Sequence, residues 1–241
     1  MTRESVTSLA ILVPARSGSK RVREKNVRQL GGVTLLERAI STSLKVKNSA
    51  SVFVSTDSEE YADLARKSGA IVPSLRPSVL AQDSSLDIEW LDFCIKEWSL
   101  ETEFLAIVRP TSPMLRSRSL EYALERLQTT PEFDSIRAIR QVSEHPGKMW
   151  RKVGPEILPL FPQILPVTPT HSRPTQSLER TYVQCGAFEI VRLESVIRHG
   201  TIHGQRTLGY ELDFPESLDI NSELDFRLAE MYLSSEGREA T

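Results

Sequence analysis

Near its amino terminus the chain reads Ser8-Leu-Ala-Ile-Leu-Val-Pro-Ala-Arg-Ser-Gly-Ser-Lys-Arg-Val-Arg-Glu-Lys-Asn26. Leu9 to Val13 is a short apolar run bounded by Pro14, which predicts a buried strand. Small residues follow at once, Ala15, Ser17, Gly18 and Ser19, interleaved with Arg16, Lys20, Arg21, Arg23 and Lys25. A Gly/Ser loop at the carboxyl end of a strand can present bare backbone N–H groups to an anion. The surrounding cations supply countercharge, arginine as a two-pronged donor and lysine as a point charge. A solvated basic turn is the plainer alternative, and neither a G-x-x-x-x-G-K-[ST] nor a G-x-G-x-x-G pattern occurs. The chemistry favours a triphosphate site.

Outward from this loop the periodicity alternates. An amphipathic helix is predicted over 34–44, a strand over 51–57, a helix over 58–67 with Ser58 as N-cap, and a brief strand at 70–72. A helix over 86–98 and a strand at 104–108 come next. A helix opened by Ser117 or Ser119 then runs to about 128, and a strand lies within 133–140. Strands at 182–191 and 208–213, a helix over 222–233 and a frayed tail at 234–241 complete the pattern. Alternation at this spacing predicts an α/β fold with a mainly parallel sheet and covering helices. Residues 143–175 break it: seven prolines fall between Pro146 and Pro174 among apolar residues, which reads as a packed excursion.

Bulk composition narrows the function. One domain over 8–233 is expected from 241 residues. Thirty basic against 32 acidic residues, net −2, argues against a general nucleic-acid binder, whose surface would be strongly basic. Cys94 and Cys185 have no metal-ligand spacing and suit a reducing compartment. No apolar run is long enough for a membrane span or a signal-peptide core, so a cytoplasmic protein is expected.

Seven blocks resemble, in order, the sugar-acid nucleotidyltransferases of the acylneuraminate (CMP-sialic acid synthetase-like) type. They are Pro14-Ala-Arg-x-Gly-Ser-Lys20 with Lys25-Asn26, Val54-Ser-Thr-Asp57, Arg76-Pro-x-x-Leu-Ala-x-Asp83, Arg109-Pro-Thr-Ser-Pro113, Glu144-His-Pro-x-Lys148, Gly186-Ala187, and Asp219-Ile-Asn221 with Asp225. The resemblance implies a Rossmann-like, nucleotide-diphospho-sugar transferase-like fold with helices on both faces. It also implies a homodimer joined through residues 143–175. A nucleoside triphosphate, most simply CTP, would be coupled to a nine-carbon 2-keto sugar acid of sialic, legionaminic or pseudaminic type, with Mg²⁺ as cofactor. Ala15, Arg16, Ser17, Gly18, Ser19, Lys20, Lys25, Asn26, Arg76 and Ser85 would bind the nucleotide. Arg109, Lys148, Arg173, Tyr182 and Phe188 would serve the sugar side. Asp219 would carry the metal, with Asn221 a weaker oxygen ligand; Arg16, Lys25 and Asp219 would be catalytic.

His145 reads as a turn residue rather than a base, and Cys185 as buried and inert. Three positions depart from the family pattern: Arg109 for Gln, Cys185 for Asn, and Asn221 for a second Asp. Arg109 is expected to face the sugar rather than pair with Asp83 or Asp87. Two alternatives stand beside the main reading: an octulosonate cytidylyltransferase, and a nucleotide binder that has lost turnover.

Overall fold

A computed structural model describes residues 9–19, 22–47, 49–161 and 168–239. In chain order the elements are β1 (Leu9–Pro14), β2 (Gln29–Leu30), β3 (Val33–Thr34), α1 (Leu35–Leu44), β4 (Ser49–Ser55), α2 (Glu59–Lys67), α3 (Asp87–Glu97) and β5 (Phe104–Val108). Then come α4 (Ser117–Gln128), β6 (Ser135–Gln141), β7 (Trp150–Val153), β8 (Glu156–Pro159), β9 (Tyr182–Arg192), α5 (Leu193–His199), β10 (Thr207–Glu211) and α6 (Glu223–Glu239).

Six strands form the main sheet in the order β10-β6-β9-β5-β1-β4. β1 pairs in parallel with β4 and β5, β10 pairs in parallel with β6, and β9 runs antiparallel to both β5 and β6. The sheet is therefore mainly parallel, as the alternation predicts. Alternate residues of β1 and β5 face opposite layers. Leu9, Ile11, Val13, Phe104 and Ala106 meet the buried faces of α1, α2 and α4. Ala10, Leu12, Leu105 and Ile107 meet Trp90 and Leu91 of α3 and Val196 of α5. Burial on both sides is why these strands are continuous apolar runs.

Local signals set the helix starts. Thr34 and Glu37 form a reciprocal capping box on α1, and Ser58 accepts from Tyr61 N on α2. α4 starts at Ser117, where the Glu216 carboxylate accepts from Arg116 N at 3.0 Å and from Ser119 Oγ at 2.7 Å. Residues 70–72 do not form a strand. Ile71 makes one parallel bridge to Phe53, and Pro73, which has no N–H, cannot extend it. α6 continues to Glu239, beyond the predicted 233; no proline stops it there. α5 follows β9 directly and is not predicted by the periodicity. In the excursion β7 and β8 pair as a separate hairpin.

The chain reverses direction beside β1, with β4 on one side and β5 on the other. The loops after β1 and β5 thus share the carboxyl edge at a topological switch point, where open α/β sheets bind ligands.

Candidate active site

The loop after β1 is shaped by neighbours before any ligand arrives. Ala15 N donates to Ser55 O at 2.9 Å and its side chain is fully buried, so Ala15 anchors the loop. Ser17 N and Ser17 Oγ both donate to Asp57, each at 2.7 Å. Ala15 N, Ser17 N and Ser17 Oγ are thus all engaged by the protein itself. Gly18 sits at φ +71°, a region that suits glycine. Asn26 Nδ2 donates to Arg16 O at 3.0 Å and closes the far side. Lys20 lies outside the described residues.

Behind the loop is a cavity of about 250 Å³. Arg16, Ser19, Lys25, Asn26, Arg76, Ser85 and Arg109 of the expected set all line it, together with Asp83, Asp87 and Trp90. Arg16 Nη2 meets Asp83 Oδ1 at 2.5 Å and Nη1 donates to Ala81 O at 3.1 Å. Lys25 Nζ donates to Ile220 O at 2.6 Å. Arg76 is buried, donating to Ser55 Oγ at 3.0 Å and Ser55 O at 2.8 Å, with its guanidinium 4.8 Å from the Trp90 ring centre. Burial pulls its pKa down to about 10, still a cation at neutral pH. The Ser85 hydroxyl donates to Val79 O and accepts from Gln82 N, so it shapes the 79–85 turn.

Arg109 does not aim at a sugar as expected. Its Nη2 pairs with Asp87 Oδ2 at 2.5 Å and its Nη1 with Glu189 Oε1 at 2.9 Å. Burial pulls its pKa down, but the two carboxylates more than offset this and hold it above the ordinary value. Asp87 is lowered in turn: burial raises it, and Arg109 and the Trp90 indole together outweigh that. Glu189 is 3% exposed and also takes Arg137 Nη2 at 2.6 Å. The only sequence signal for it is a single acid inside the apolar strand Ala187-Phe-Glu-Ile-Val191.

The segment 219–221 is extended and stitched to the site. Ile220 N donates to Thr111 O at 2.8 Å, and Ile220 O receives Lys25. Asp219 and Asn221 face the same side, as expected, with Asn221 Nδ2 donating to Asp219 Oδ2 at 2.8 Å. Capping of α6 falls to Ser222 and Asp225: Ser222 Oγ accepts from Asp225 N at 3.3 Å, and the Asp225 carboxylate accepts from Asn221 N and Ser222 N. Asp219 is thus free of that duty, and its buried Oδ1 has no hydrogen-bond partner. Its carboxylate lies against Gly186, where a Cβ would come within 3.0 Å of Oδ2. An unpartnered carboxylate oxygen beside an amide fits a hard cation that keeps most of its waters. No ready-made cage of three His, Cys, Asp or Glu side chains occurs among the described residues. Asp219 and Asn221 also border a second cavity of about 680 Å³ with Arg140, Gln184, Cys185 and Asp213.

The remaining sugar-side residues are not brought to either cavity. Lys148 ends the turn Pro146–Lys148, Arg173 donates to Ser177 O at 2.9 Å, and Tyr182 is exposed at the start of β9. Phe188 is fully buried in the sheet layer, its ring 5.7 Å from that of Tyr210, and cannot touch a ligand. His145 is a turn residue: Nδ1 accepts from Gly147 N and Nε2 lies 3.0 Å from Glu179 O.

The family profile described as cytidylyltransferase matches residues 10–150, more than half of the chain. The chain belongs to the cytidylyltransferase family. The match takes in the loop after β1, Asp57, the 76–87 segment, Arg109 and the Glu144–Lys148 turn, while Gly186, Glu189 and Asp219 lie beyond it. An N-acylneuraminate cytidylyltransferase from Escherichia coli is 29% identical over 223 residues, which is 92% of this chain and 51% of that protein. The chain thus spans about half the length of that relative. A CMP-N,N'-diacetyllegionaminic acid synthase from Legionella pneumophila is 29% identical over 91% of this chain and 93% of its own. In fold, this cytidylyltransferase-family chain resembles a CMP:2-keto-3-deoxy-manno-octonic acid synthetase solved with CTP (TM-score 0.68, 17% identity, 95% of this chain, 100% of that chain). Among the described residues no helix is long and apolar enough to cross a membrane.

Proposed function

We propose that this chain transfers the cytidylyl group of CTP to the anomeric C2 hydroxyl of a nine-carbon 2-keto sugar acid. The hydroxyl oxygen bonds to the α-phosphorus, the bond from that phosphorus to the β-bridging oxygen breaks, and pyrophosphate leaves with that electron pair. The hydroxyl proton is lost to solvent. No covalent protein intermediate is required, so positioning and charge neutralisation do the work. The observation that carries this reading is the convergence of Arg16, Lys25 and Arg76 on one cavity at the switch point of a cytidylyltransferase-family sheet.

In this reading Arg16 and Lys25 neutralise the triphosphate, while Arg76 supplies a fixed positive potential from below. Lys25 also ties the loop to Ile220, the neighbour of Asp219, which supports a triphosphate end near that carboxylate. Asp219, helped by Asn221, would hold Mg²⁺, whose contribution when bound is to offset phosphate charge and lower the pKa of the attacking hydroxyl. The sugar acid would approach from the Asp219 side. A two-fold dimer is part of the proposal, because Met149, Trp150, Val153, Ile157, Leu160 and Phe161 of the excursion are exposed apolar residues. Two free, buried cysteines suit a cytoplasmic setting.

The test is a pyrophosphate-release assay crossing the four common triphosphates with sialic, legionaminic, pseudaminic and octulosonic acids. CTP with a nine-carbon acid should give the highest turnover. No pyrophosphate from any pair, alongside a CTP-induced rise in melting temperature, would leave a nucleotide binder without turnover.

A further inference from the structure

Residues 76–87 close one wall of the cavity, and three arginines hold them. Arg76 fixes the start of the segment to Ser55 at the end of β4. Arg16 fixes its middle through Ala81 O and Asp83. Arg109 fixes its end through Asp87, the first residue of α3. Arg109 is also ion-paired to a buried carboxylate. Glu189, on the central strand β9, sits between Arg109 (2.9 Å) and Arg137 (2.6 Å). The result is a row of alternating charge, Asp87, Arg109, Glu189, Arg137, running from the cavity wall into the sheet.

Asp87 passes this order onward. Its Oδ1 accepts from Trp90 Nε1 at 2.9 Å, and the Trp90 ring lies beside the Arg76 guanidinium. Arg16 and Lys25 mark the phosphate end of the cavity. The same cavity is lined by the apolar surfaces of Leu80 and Trp90 and the polar edges of Gln82 and Ser85, a composition that suits a planar heterocycle. A guanidinium held by two carboxylates has one orientation, and removing one of them releases it.

We infer that Glu189, acting through Arg109 and Asp87, is a positioning residue for the nucleobase wall and governs which triphosphate enters rather than which sugar acid. This rests on the function proposed above and reassigns Arg109, a residue expected on the sugar side, to the nucleotide.

The experiment compares the kcat/KM ratio of CTP to UTP in wild type, Glu189→Gln, Arg109→Gln and the double variant Glu189→Gln/Arg137→Gln. In the single variants the ratio should fall about tenfold or more, because base discrimination depends on fixed polar edges, while the KM for the sugar acid stays within about twofold. The double variant removes one charge of each sign, so its melting temperature should recover while the ratio stays low. Asp87→Asn, at a half-exposed helix start, should give the same loss if Glu189→Gln does not fold. An unchanged ratio in a folded Glu189→Gln or Asp87→Asn overturns the inference, as does a shift in sugar-acid KM alone. Wild type that releases no pyrophosphate from any pair overturns the proposed function and this inference with it. Wild type that turns over while the variants keep its ratio removes the inference only.

Discussion

Gly186→Ala tests whether the Asp219 carboxylate is held at a required position. The new Cβ would lie 3.0 Å from Asp219 Oδ2, 3.2 Å from Cγ and 3.3 Å from Oδ1, whereas ordinary contact begins at 3.4 Å. One side must give by a few tenths of an ångström. The backbone around Asp219 has little freedom to do so, because Ile220 is bonded to Thr111 on one side and Lys25 on the other. The side chain therefore rotates, and its bond from Asn221 Nδ2 at 2.8 Å lengthens.

Overpacking of this size costs about 1–2 kcal/mol, at the low end for an added methyl because the displaced group is a side-chain end. For a chain of this length that lowers the melting temperature by roughly 2–8 °C. Mg²⁺ requires near-ideal octahedral geometry, so a displaced ligand matters more to the ion than to the fold. Apparent Mg²⁺ affinity should drop by about tenfold, equivalent to ~1.4 kcal/mol. Calorimetric titration of Mg²⁺ into protein saturated with a non-hydrolysable CTP analogue reads this without turnover. Wild-type Mg²⁺ affinity in a variant whose melting temperature has fallen would show that the Asp219 carboxylate is not the ligand.

Three further outcomes are expected. Asp57→Ala frees both donors of Ser17, so the loop after β1 loses its shape; CTP affinity by calorimetry should fall about tenfold, from the loss of charge-assisted bonds of ~1.5–3 kcal/mol less what the freed loop regains. Burial pushes the Cys94 thiol from its ordinary 9.0 up to about 11. The unfolded chain then releases that proton at lower pH than the folded one, so the urea midpoint should decline as pH rises from 9 towards 11, and Cys94→Ser should flatten that decline. Trp150→Glu should convert a dimer, measured by light scattering at micromolar protein, into a monomer; a wild type that is already monomeric would remove the proposed interface.

The sheet was legible because β1, β4 and β5 are apolar runs that end in turn-forming or polar loop residues, and the loop after β1 because its cations surround small residues. What could not be read was pairing. Arg109 and Glu189 lie 80 residues apart, and no spacing rule connects a cation at a strand end to an acid inside another strand. The same holds for Asp57: its place at a strand end was clear, its two bonds to Ser17 were not. Phe188 was placed on the sugar side by the resemblance, and alternation could not correct it, because β9 is irregular against β6 between Gln184 and Glu189. Residues 70–72 failed as a strand through a local feature that was visible, Pro73, whose effect outweighs the β-branched pair Ile71-Val72.

Burial separates the two cations that the sequence treats alike. The Arg16–Asp83 pair is 34% and 46% exposed, and such pairs are worth only about 0.2–1 kcal/mol, because water and salt screen them. Under the proposed function, a triphosphate offers Arg16 several anionic oxygens in place of one half-solvated carboxylate, so the exchange is downhill. The Arg109–Glu189 pair is 18% and 3% exposed, and Arg109 holds Asp87 as well, so a ligand would have to replace two carboxylates at once, one of them buried. Arg16 is therefore the cation expected to change partner when a triphosphate binds, and Arg109 the one expected to stay where the fold holds it.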